Sequence, residues 1–365
     1  MEFICPKCGR REPLTTRLAH CPCGALWELD FDPPKFDPAL IDRNEWSLFR
    51  YRAFMALDDD EAWRSVSLGE GMTPVVRLAD GVLAKVDYMM PTLSFKDRGA
   101  AVLMAHCRSI GVDKVVQDSS GNAGNAVAAY AAKAGIACEI FVPEGTSPKK
   151  IDMIRAHGAE CTVVPGSRDH CADVCRAKVE EEGCYYASHV YNPLFYEGTK
   201  TYIYEVFEQL GRIPENLVIP VGNGTLYLGA VKALEHLLAS GCIDHFPTVW
   251  ALQSERCDPL SQAAVRGETA PAAVTPVPTL AEGIAIGKPM RGRNILELAK
   301  KHGIRFVDVP EDGILEARAA LAKQGFYVEH TTAANYAALE AIRRQYGPLE
   351  DVLITLCGAG LKSDH

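Results

Sequence analysis

Several features that define other protein classes are missing from this sequence. No apolar run reaches the length of a membrane span, because the most apolar stretch, residues 126–142, contains Lys133 and Glu139. An excess of basic charge is also missing, since the net charge is −9, and this argues against a nucleic-acid partner. The opening residues, MEFICPKCGR, lack the apolar core of a signal peptide. We therefore expect a cytoplasmic protein with no membrane or nucleic-acid partner.

Cysteine, in contrast, is abundant, and the odd number of thirteen favours thiols or metal ligands over disulfides. Near the start, Cys5 and Cys8 form a C-x-x-C pair, and Cys21 and Cys23 form a C-x-C pair. Two such pairs can place four thiolates around one zinc ion. The second pair is one residue shorter than the usual ribbon spacing, so reduced surface cysteines, or a ribbon without its metal, are the alternatives. We predict a structural zinc knuckle over residues 1–30.

The 365 residues are enough for two packed lobes. Beyond about residue 80, short β-branched runs alternate with alanine-rich segments of helical spacing. This alternation predicts an α/β fold with a mostly parallel sheet, whose ligands bind at the carboxyl ends of strands. Strands are predicted at residues 82–86, 114–117, 138–142, 161–164, 217–221, 248–252, 305–309 and 352–356. Helices are predicted at residues 126–134, 202–210, 228–238, 314–323 and 333–343.

The stretch PVGNGT follows one of these strands and precedes a helix. Gly222 and Gly224 let the backbone approach a ligand closely, while the N–H groups of the next helix point at an anion. Asn223 lies between the glycines, and Thr225 adds a hydroxyl donor. Tyr227 takes the place of the third glycine of a dinucleotide fingerprint. The stretch predicts a phosphate cup, with a plain strand-to-helix turn as the alternative.

Two further stretches carry reactive or donor groups. The stretch SSGNAGN can cradle a carboxylate with Ser119, Ser120 and Gly121, and its Asn122 can donate a hydrogen bond to a phenolate-like oxygen. The alternative is that these residues only cap a helix. In PTLSFKDRG, Lys96 lies where a helix begins, and a solvated first-turn lysine is the alternative. A lysine amine, a phosphate cup and an amide donor are together the contacts that pyridoxal phosphate needs.

These stretches also carry a resemblance to a known family. In chain order they are GEGMTPVVRL, PTLSFKDRG, SSGNAGNAVAAYAAKAGI, NPLFYEGTKT, PVGNGT, AEGIAIGKP and CGAGLKS. Over nearly its whole length the chain resembles the pyridoxal-phosphate enzymes of the tryptophan-synthase-β fold type (fold type II), and within them threonine synthase and its relatives. The resemblance implies a homodimer of two-lobed α/β subunits. The implied domains are a knuckle (1–30), an arm joining the large lobe (31–92), a smaller mobile lobe (93–190) and a large lobe (191–365).

The resemblance also implies roles for single residues. Lys96 corresponds to the lysine that binds the cofactor as a Schiff base and removes the substrate's α-proton. Asn122 corresponds to the contact with the phenolic oxygen of the cofactor ring. The remaining residues correspond to two anion-binding sites of the family. The pocket for the substrate carboxylate is lined by Ser119, Ser120, Gly121 and Ala123. The cofactor phosphate is held by Gly222, Asn223, Gly224 and Thr225.

One departure from the family concerns the cofactor ring. The family places a serine or threonine near the pyridine nitrogen, and this chain has Cys357 there. A thiol is a poor hydrogen-bond donor and stays mostly neutral at pH 7, so the ring nitrogen should stay unprotonated. An unprotonated ring nitrogen weakens the cofactor as an electron acceptor and favours eliminations. The alternative is that the exchange of a hydroxyl for a thiol has little effect.

A second departure concerns the substrate. Threonine synthase binds the phosphate of O-phosphohomoserine with an arginine, an asparagine and a threonine, and this chain has Phe195, Leu226 and Ala123 at those positions. A dianion left unpaired in a closed site is costly. We therefore expect a carbon–oxygen lyase that performs β-elimination or β-replacement on a hydroxy- or O-substituted amino acid, with threonine synthase as the alternative. A binding protein with a vestigial fold and a zinc-dependent hydrolase are further alternatives.

Overall fold

The computed structural model describes residues 1–57 and 61–362, and these form two compact units. The first unit holds Met1–Gly71 and Lys96–Thr199. The second unit holds Met72–Phe95 and the described chain from Lys200 onward. This division splits the predicted arm, residues 31–92, at Gly71, and it places the start of the last segment after Thr199 rather than after residue 190. The four implied domains stay a prediction.

Strands and helices alternate along most of the described chain. The strands are β1 (Glu2–Ile4), β2 (Arg11–Pro13), β3 (Glu28–Asp30), β4 (Val75–Arg77), β5 (Leu83–Lys85), β6 (Lys114–Gln117), β7 (Ala137–Pro143), β8 (Glu160–Val164), β9 (Tyr185–Tyr186), β10 (Asn216–Pro220), β11 (Thr248–Ser254), β12 (Arg305–Val309) and β13 (Val352–Thr355). The α-helices are α1 (Lys96–Ser109), α2 (Asn122–Ala134), α3 (Pro148–Ala156), α4 (Arg168–Glu182), α5 (Leu194–Leu210), α6 (Thr225–Ala239), α7 (Pro259–Val265), α8 (Gly292–His302), α9 (Asp312–Lys323) and α10 (His330–Tyr346). Every predicted strand is present within two residues of its predicted bounds.

The central sheet of the first unit has four parallel strands in the order β8-β7-β6-β9. Helix α2, which follows β6, is buried on nearly every side, because its alanines leave room for close neighbours. It ends at Gly135, whose φ of 67° is the left-handed conformation that glycine adopts without strain. A small antiparallel sheet, β2-β1-β3, forms the N-terminal part of this unit. Its Phe3 and Trp27 share an apolar cluster with Leu194, the first residue of α5.

The sheet of the second unit has six strands in the order β12-β11-β10-β13-β5-β4. All pairs are parallel except β4 with β5 at one edge. The buried side chains of this sheet pack against α9 and α10 in one apolar cluster. The prediction of an α/β fold with mostly parallel sheets is therefore confirmed. Among the described helices, none combines the length and apolar character needed to cross a membrane.

Candidate active site

In the first unit, the strand order creates a crevice between β6 and β9. The chain runs outward from β6 to β7 and β8, and then returns to place β9 on the other side of β6. In open parallel sheets, ligands bind at the carboxyl ends of the strands where the direction of winding reverses in this way. Val115 pairs with Tyr185 and Val116 with Tyr186, so the loops that follow β6 and β9 leave the same edge of the sheet.

The loop after β6 is the predicted carboxylate cradle. Gly121 is the N-cap of α2 and supplies no capping side chain, and a methyl group built on it would meet no atom within 4 Å. The N-terminus of α2 therefore has no side-chain cap and has open space beside Gly121, which suits an anion. A methyl group on Gly124 would lie 1.9 Å from the Ser119 carbonyl oxygen, so the loop turns directly over the helix start. Ser119 and Ala123 are buried, whereas Gly121 is exposed.

Lys96 is the first residue of α1, and close packing fixes its place in the first unit. Helices α1 and α5 cross at two glycines. A methyl group on Gly198 would lie 1.9 Å from the Arg98 carbonyl oxygen, and one on Gly99 would lie 2.1 Å from the Phe195 ring. Such contacts are far shorter than real carbon contacts, so only glycine allows this crossing. The glycines of the KDRG and EGTK stretches therefore position the helix turn that carries Lys96.

His189 lies in the loop after β9, beside the predicted residues. Its ring stands edge-on to the Phe195 ring at 5.9 Å between centroids. Burial, followed by the positive charges of Lys96 and Arg168, lowers the pKa of His189 well below its usual value, so the imidazole is neutral at pH 7. Its Nδ1 atom is buried and has no hydrogen-bond partner among the described residues. His189 was not predicted from the sequence, although it precedes the NPLFYEGTKT stretch by only two residues.

The second unit has a corresponding reversal of winding between β10 and β13. Val218 of β10 pairs with Ile354 of β13, so the loops after both strands leave one edge of the sheet. Gly224 has a φ of 81° and is the N-cap of α6, where it supplies no capping side chain. A methyl group on Gly222 would lie 3.1 Å from the Cα atom of Ile284. The backbone thus folds tightly into a helix N-terminus, which suits a phosphate group.

Cys357 lies in the loop after β13. Its Sγ is 3.1 Å from Oγ1 of Thr332, and burial raises the pKa of its thiol to about 12. The thiol is therefore neutral at pH 7, as expected. The Phe95 N–H donates to the Cys357 carbonyl oxygen at 3.0 Å, and Ser94 pairs with Gly358. The residues directly before Lys96 are thus fixed to the Cys357 loop by backbone hydrogen bonds.

Comparison with known proteins agrees with this arrangement of loops. A family model described as "Pyridoxal-phosphate dependent enzyme" matches residues 66–358. The chain belongs to this family. The predicted pyridoxal-phosphate enzyme of fold type II is therefore confirmed.

Relatives of this pyridoxal-phosphate dependent enzyme include two threonine synthases. The protein from Methanocaldococcus jannaschii is 28% identical over 98% of this chain and 92% of its own length. The protein from Mycobacterium leprae is 32% identical over 86% of this chain and 87% of its own length. The solved structure of the T.th. threonine deaminase is 26% identical, covers 82% of this chain and 96% of its own, and has a TM-score of 0.67. The predicted class, a carbon–oxygen lyase with elimination or replacement chemistry, is confirmed.

Each unit, taken by itself, holds residues that suit a chemical group of the cofactor. In the first unit, Lys96 offers an amine, and the Gly121 loop offers a helix N-terminus without a side-chain cap. In the second unit, the Gly224 turn offers a helix N-terminus and Cys357 a neutral thiol. The loops after β6, β10 and β13 therefore lie where parallel-sheet enzymes bind ligands.

The four N-terminal cysteines lie together in the first unit. Their Sγ atoms are all within 4.8 Å of one another. Cys5 and Cys23 are 3.4 Å apart, and Cys8 and Cys21 are 3.6 Å apart. Zinc–sulfur bonds of about 2.3 Å in a tetrahedron put sulfur atoms about 3.8 Å apart. The cluster therefore fits a zinc ion with four thiolate ligands.

Proposed function

We propose that this enzyme eliminates or replaces the oxygen substituent at Cβ of a hydroxy- or O-substituted amino acid. The observation that carries the proposal is the place of Phe195. This residue stands where the resemblance implies the phosphate-binding arginine of threonine synthase, and its ring is fully buried against Gly99. An apolar, packed side chain cannot compensate a phosphate dianion, so a substrate of lower charge suits this chain better.

Each site residue has a distinct part in this reaction. Pyridoxal phosphate, when bound, supplies an electron-accepting ring that acidifies the α-proton of an amino acid. We propose that Lys96 holds the cofactor and then removes this proton. Asn122 would donate to the ring oxygen. The anions would bind to two helix N-termini: the substrate carboxylate to Ser119, Ser120, Gly121 and Ala123 at α2, and the cofactor phosphate to Gly222, Asn223, Gly224 and Thr225 at α6.

The proposed place of Cys357 is beside the pyridine nitrogen. Its thiol is neutral, because burial opposes loss of the proton. It would neither protonate the ring nitrogen nor accept a proton from it. A ring without that positive charge withdraws electrons less strongly, which favours a rapid departure of the leaving group over reactions that need a long-lived carbanion.

A panel of amino acids tests the proposal on the purified holoenzyme. L-Serine, L-threonine and O-acetyl-L-serine are added, and 2-oxo acid, ammonia and the absorbance of the cofactor are followed together. We expect turnover of at least one of the three. The Lys96→Ala variant should lose this turnover, while the control Lys133→Ala, at an exposed lysine of α2, should keep it. Activity of Lys96→Ala equal to that of the wild type would contradict the role of Lys96.

Threonine synthase is the second candidate, and two observations favour it. The relatives from Methanocaldococcus jannaschii and Mycobacterium leprae carry that name. In addition, Arg168 acts on His189 together with Lys96, so a second cation lies on this side of the first unit. O-Phosphohomoserine added to the holoenzyme decides between the candidates. Release of phosphate with formation of threonine would establish threonine synthase, and an unchanged substrate would exclude it.

We also propose that Cys5, Cys8, Cys21 and Cys23 bind a structural zinc ion. The sulfur distances support it, and four thiolates leave no open position for catalysis. Elemental analysis should find about one zinc per chain, and less than about a tenth would exclude the site, because closed thiolate sites retain their metal.

The homodimer is a proposal that rests on the family resemblance, and the cytoplasmic location expected from the sequence stays a proposal. Sedimentation equilibrium should give twice the subunit mass of 39.7 kDa. Limited proteolysis tests the implied domains, which predict cleavage near residues 30, 92 and 190. Fractionation of the source cells tests the location.

A further inference from the structure

The loop that carries His189 is held rigidly at the reversal of winding in the first unit. The Ala187 N–H donates to the Val116 carbonyl oxygen at 2.9 Å, and the Gln117 side-chain amide donates to the Ala187 carbonyl oxygen at 2.8 Å. Beyond the histidine, the N–H groups of Val190 and Tyr191 both donate to Oγ of Ser188 at 3.3 Å. The backbone on both sides of His189 is therefore fixed, and its ring has a defined direction.

The same loop places His189 beside the other groups of the proposed site. Strands β6 and β9 are hydrogen-bonded neighbours, so their ends lie about 4.8 Å apart. One end carries the Ser119–Asn122 loop and the other carries His189. Lys96 is close enough to affect the ionisation of His189. The Ser119–Asn122 loop, His189 and Lys96 therefore belong to one side of the first unit.

The substituents of an amino-acid substrate can be assigned to these groups in turn. The amine goes to the cofactor, the α-proton faces Lys96, and the carboxylate goes to the N-terminus of α2. The side chain is the one substituent left, and His189 offers, at the neighbouring strand end, a buried nitrogen without a partner in the described part of the chain. We propose that His189 hydrogen-bonds the side-chain oxygen of the substrate and so selects amino acids with an oxygen at Cβ, an inference that rests on the proposed function.

The chemistry of the ring agrees with this role. A neutral imidazole has one N–H donor and one acceptor nitrogen, so it can pair with a hydroxyl group or with an ester or ether oxygen. The buried Nδ1 atom has no partner among the described residues, and buried polar atoms without partners are rare in folded proteins. A neutral imidazole can also polarise an oxygen without protonating it, which is known from enzymes that keep a histidine uncharged. A substrate oxygen would complete its hydrogen bonding.

The test compares two ligands that differ by one oxygen atom. L-Serine and L-alanine are titrated into the holoenzyme, and the change in cofactor absorbance gives Kd for each. The wild type should bind serine more tightly than alanine. His189→Leu should reduce this preference roughly tenfold or more, because a site built to pair with an oxygen loses discrimination when its partner is removed. His189→Asn, which keeps a polar atom near the Nδ1 position, should restore part of the preference.

His106→Leu is the matched control. His106 is a buried histidine of the first unit, and it lies in the last turn of α1, far along the helix from Lys96. The His106→Leu variant should have a lower melting temperature than the wild type but the same ratio of the two Kd values. If His189→Leu does not fold or loses the cofactor absorbance, His189→Asn and His189→Gln decide through the same ratio.

The outcomes for the two proposals are separate. Absence of turnover for every amino acid of the panel would contradict the proposed function, and the ratio of Kd values would still report on His189. A wild-type ratio near one, or a ratio unchanged within twofold in His189→Leu, would overturn the role of His189. Equal weakening of serine and alanine would also overturn it, because that pattern describes a structural role only.

Discussion

Gly198 of α5 lies directly against the first turn of α1, and its replacement by alanine tests how Lys96 is positioned. The added methyl group would lie 1.9 Å from the Arg98 carbonyl oxygen, 2.5 Å from its carbonyl carbon and 2.9 Å from Cα of Gly99. All three are backbone atoms, so no side-chain rotation can relieve the contact. The helices must separate by about 1 Å or more, and overpacking of this kind costs about 1–3 kcal/mol.

The expected result of Gly198→Ala has two parts. The free energy of unfolding of the holoenzyme should fall by about 2–3 kcal/mol, which urea denaturation measures. The absorbance of the lysine-bound cofactor should also weaken, because Lys96 is two residues from Arg98 and must move with it. The second readout separates a local displacement of Lys96 from a general loss of stability.

Gly313→Ala is the matched control for Gly198→Ala. Gly313 lies in α9, and a methyl group there would meet only Cβ of Ala337, at an ordinary distance of 3.8 Å. This variant should be neutral or up to about 1 kcal/mol more stable, because glycine is a poor helix former. Equal stability and equal cofactor absorbance in the two variants would refute the argument, since the crossing would then tolerate a side chain.

Three other changes test separate parts of the structure. Burial raises the pKa of the Glu70 carboxyl to about 7, so the wild type should lose stability on the order of 3 kcal/mol as the pH rises from 4.5 to 7, because the unfolded carboxyl releases its proton first. Glu70→Gln should lack this decline, which urea midpoints at pH 5 and 8 would show. Gly224→Ala combines a φ of 81° with a contact of 2.6 Å to Cδ1 of Ile295, so its affinity for pyridoxal phosphate in equilibrium dialysis should fall by roughly tenfold or more. Cys5→Ser should remove the zinc found by elemental analysis, and Cys161→Ser, outside the cluster, should keep it.

Most of the fold could be predicted because the buried strands are short β-branched runs between turns. Helices α3, α4, α7 and α8 are not among the helices named from the sequence, and for α3 and α4 the reason is a lack of buried apolar residues. Among the described side chains of α3 only Ile154 is buried, and α4 buries only Cys171 and Cys175, so neither shows an apolar stripe. A capping signal was present in each, since Ser147 and Ser167 accept a backbone hydrogen bond at the helix start.

The loops of SSGNAGN and PVGNGT could be predicted because each directly follows a strand and begins a helix. Their grouping could not, since it depends on which strands become neighbours. The pairing of β6 with β9 joins residues about 70 positions apart, and it alone brings His189 to the loop of Ser119. The crossing at Gly99 and Gly198 is equally non-local. A glycine in a helix was visible in the sequence, but its partner across the crossing was not.

The charge of His189 links these results to the choice between the two candidate substrates. Burial and the cations Lys96 and Arg168 keep the imidazole neutral. A phosphate dianion bound among these groups would offset both cations, raise the pKa of His189 and draw a proton onto the ring. Binding of O-phosphohomoserine should then take up protons near pH 7, whereas binding of serine should not change the charge of this histidine. Calorimetric titrations in two buffers of different ionisation enthalpy measure that uptake. An equal proton uptake for both ligands would show that the phosphate does not bind beside His189. The buried, apolar Phe195 favours that result.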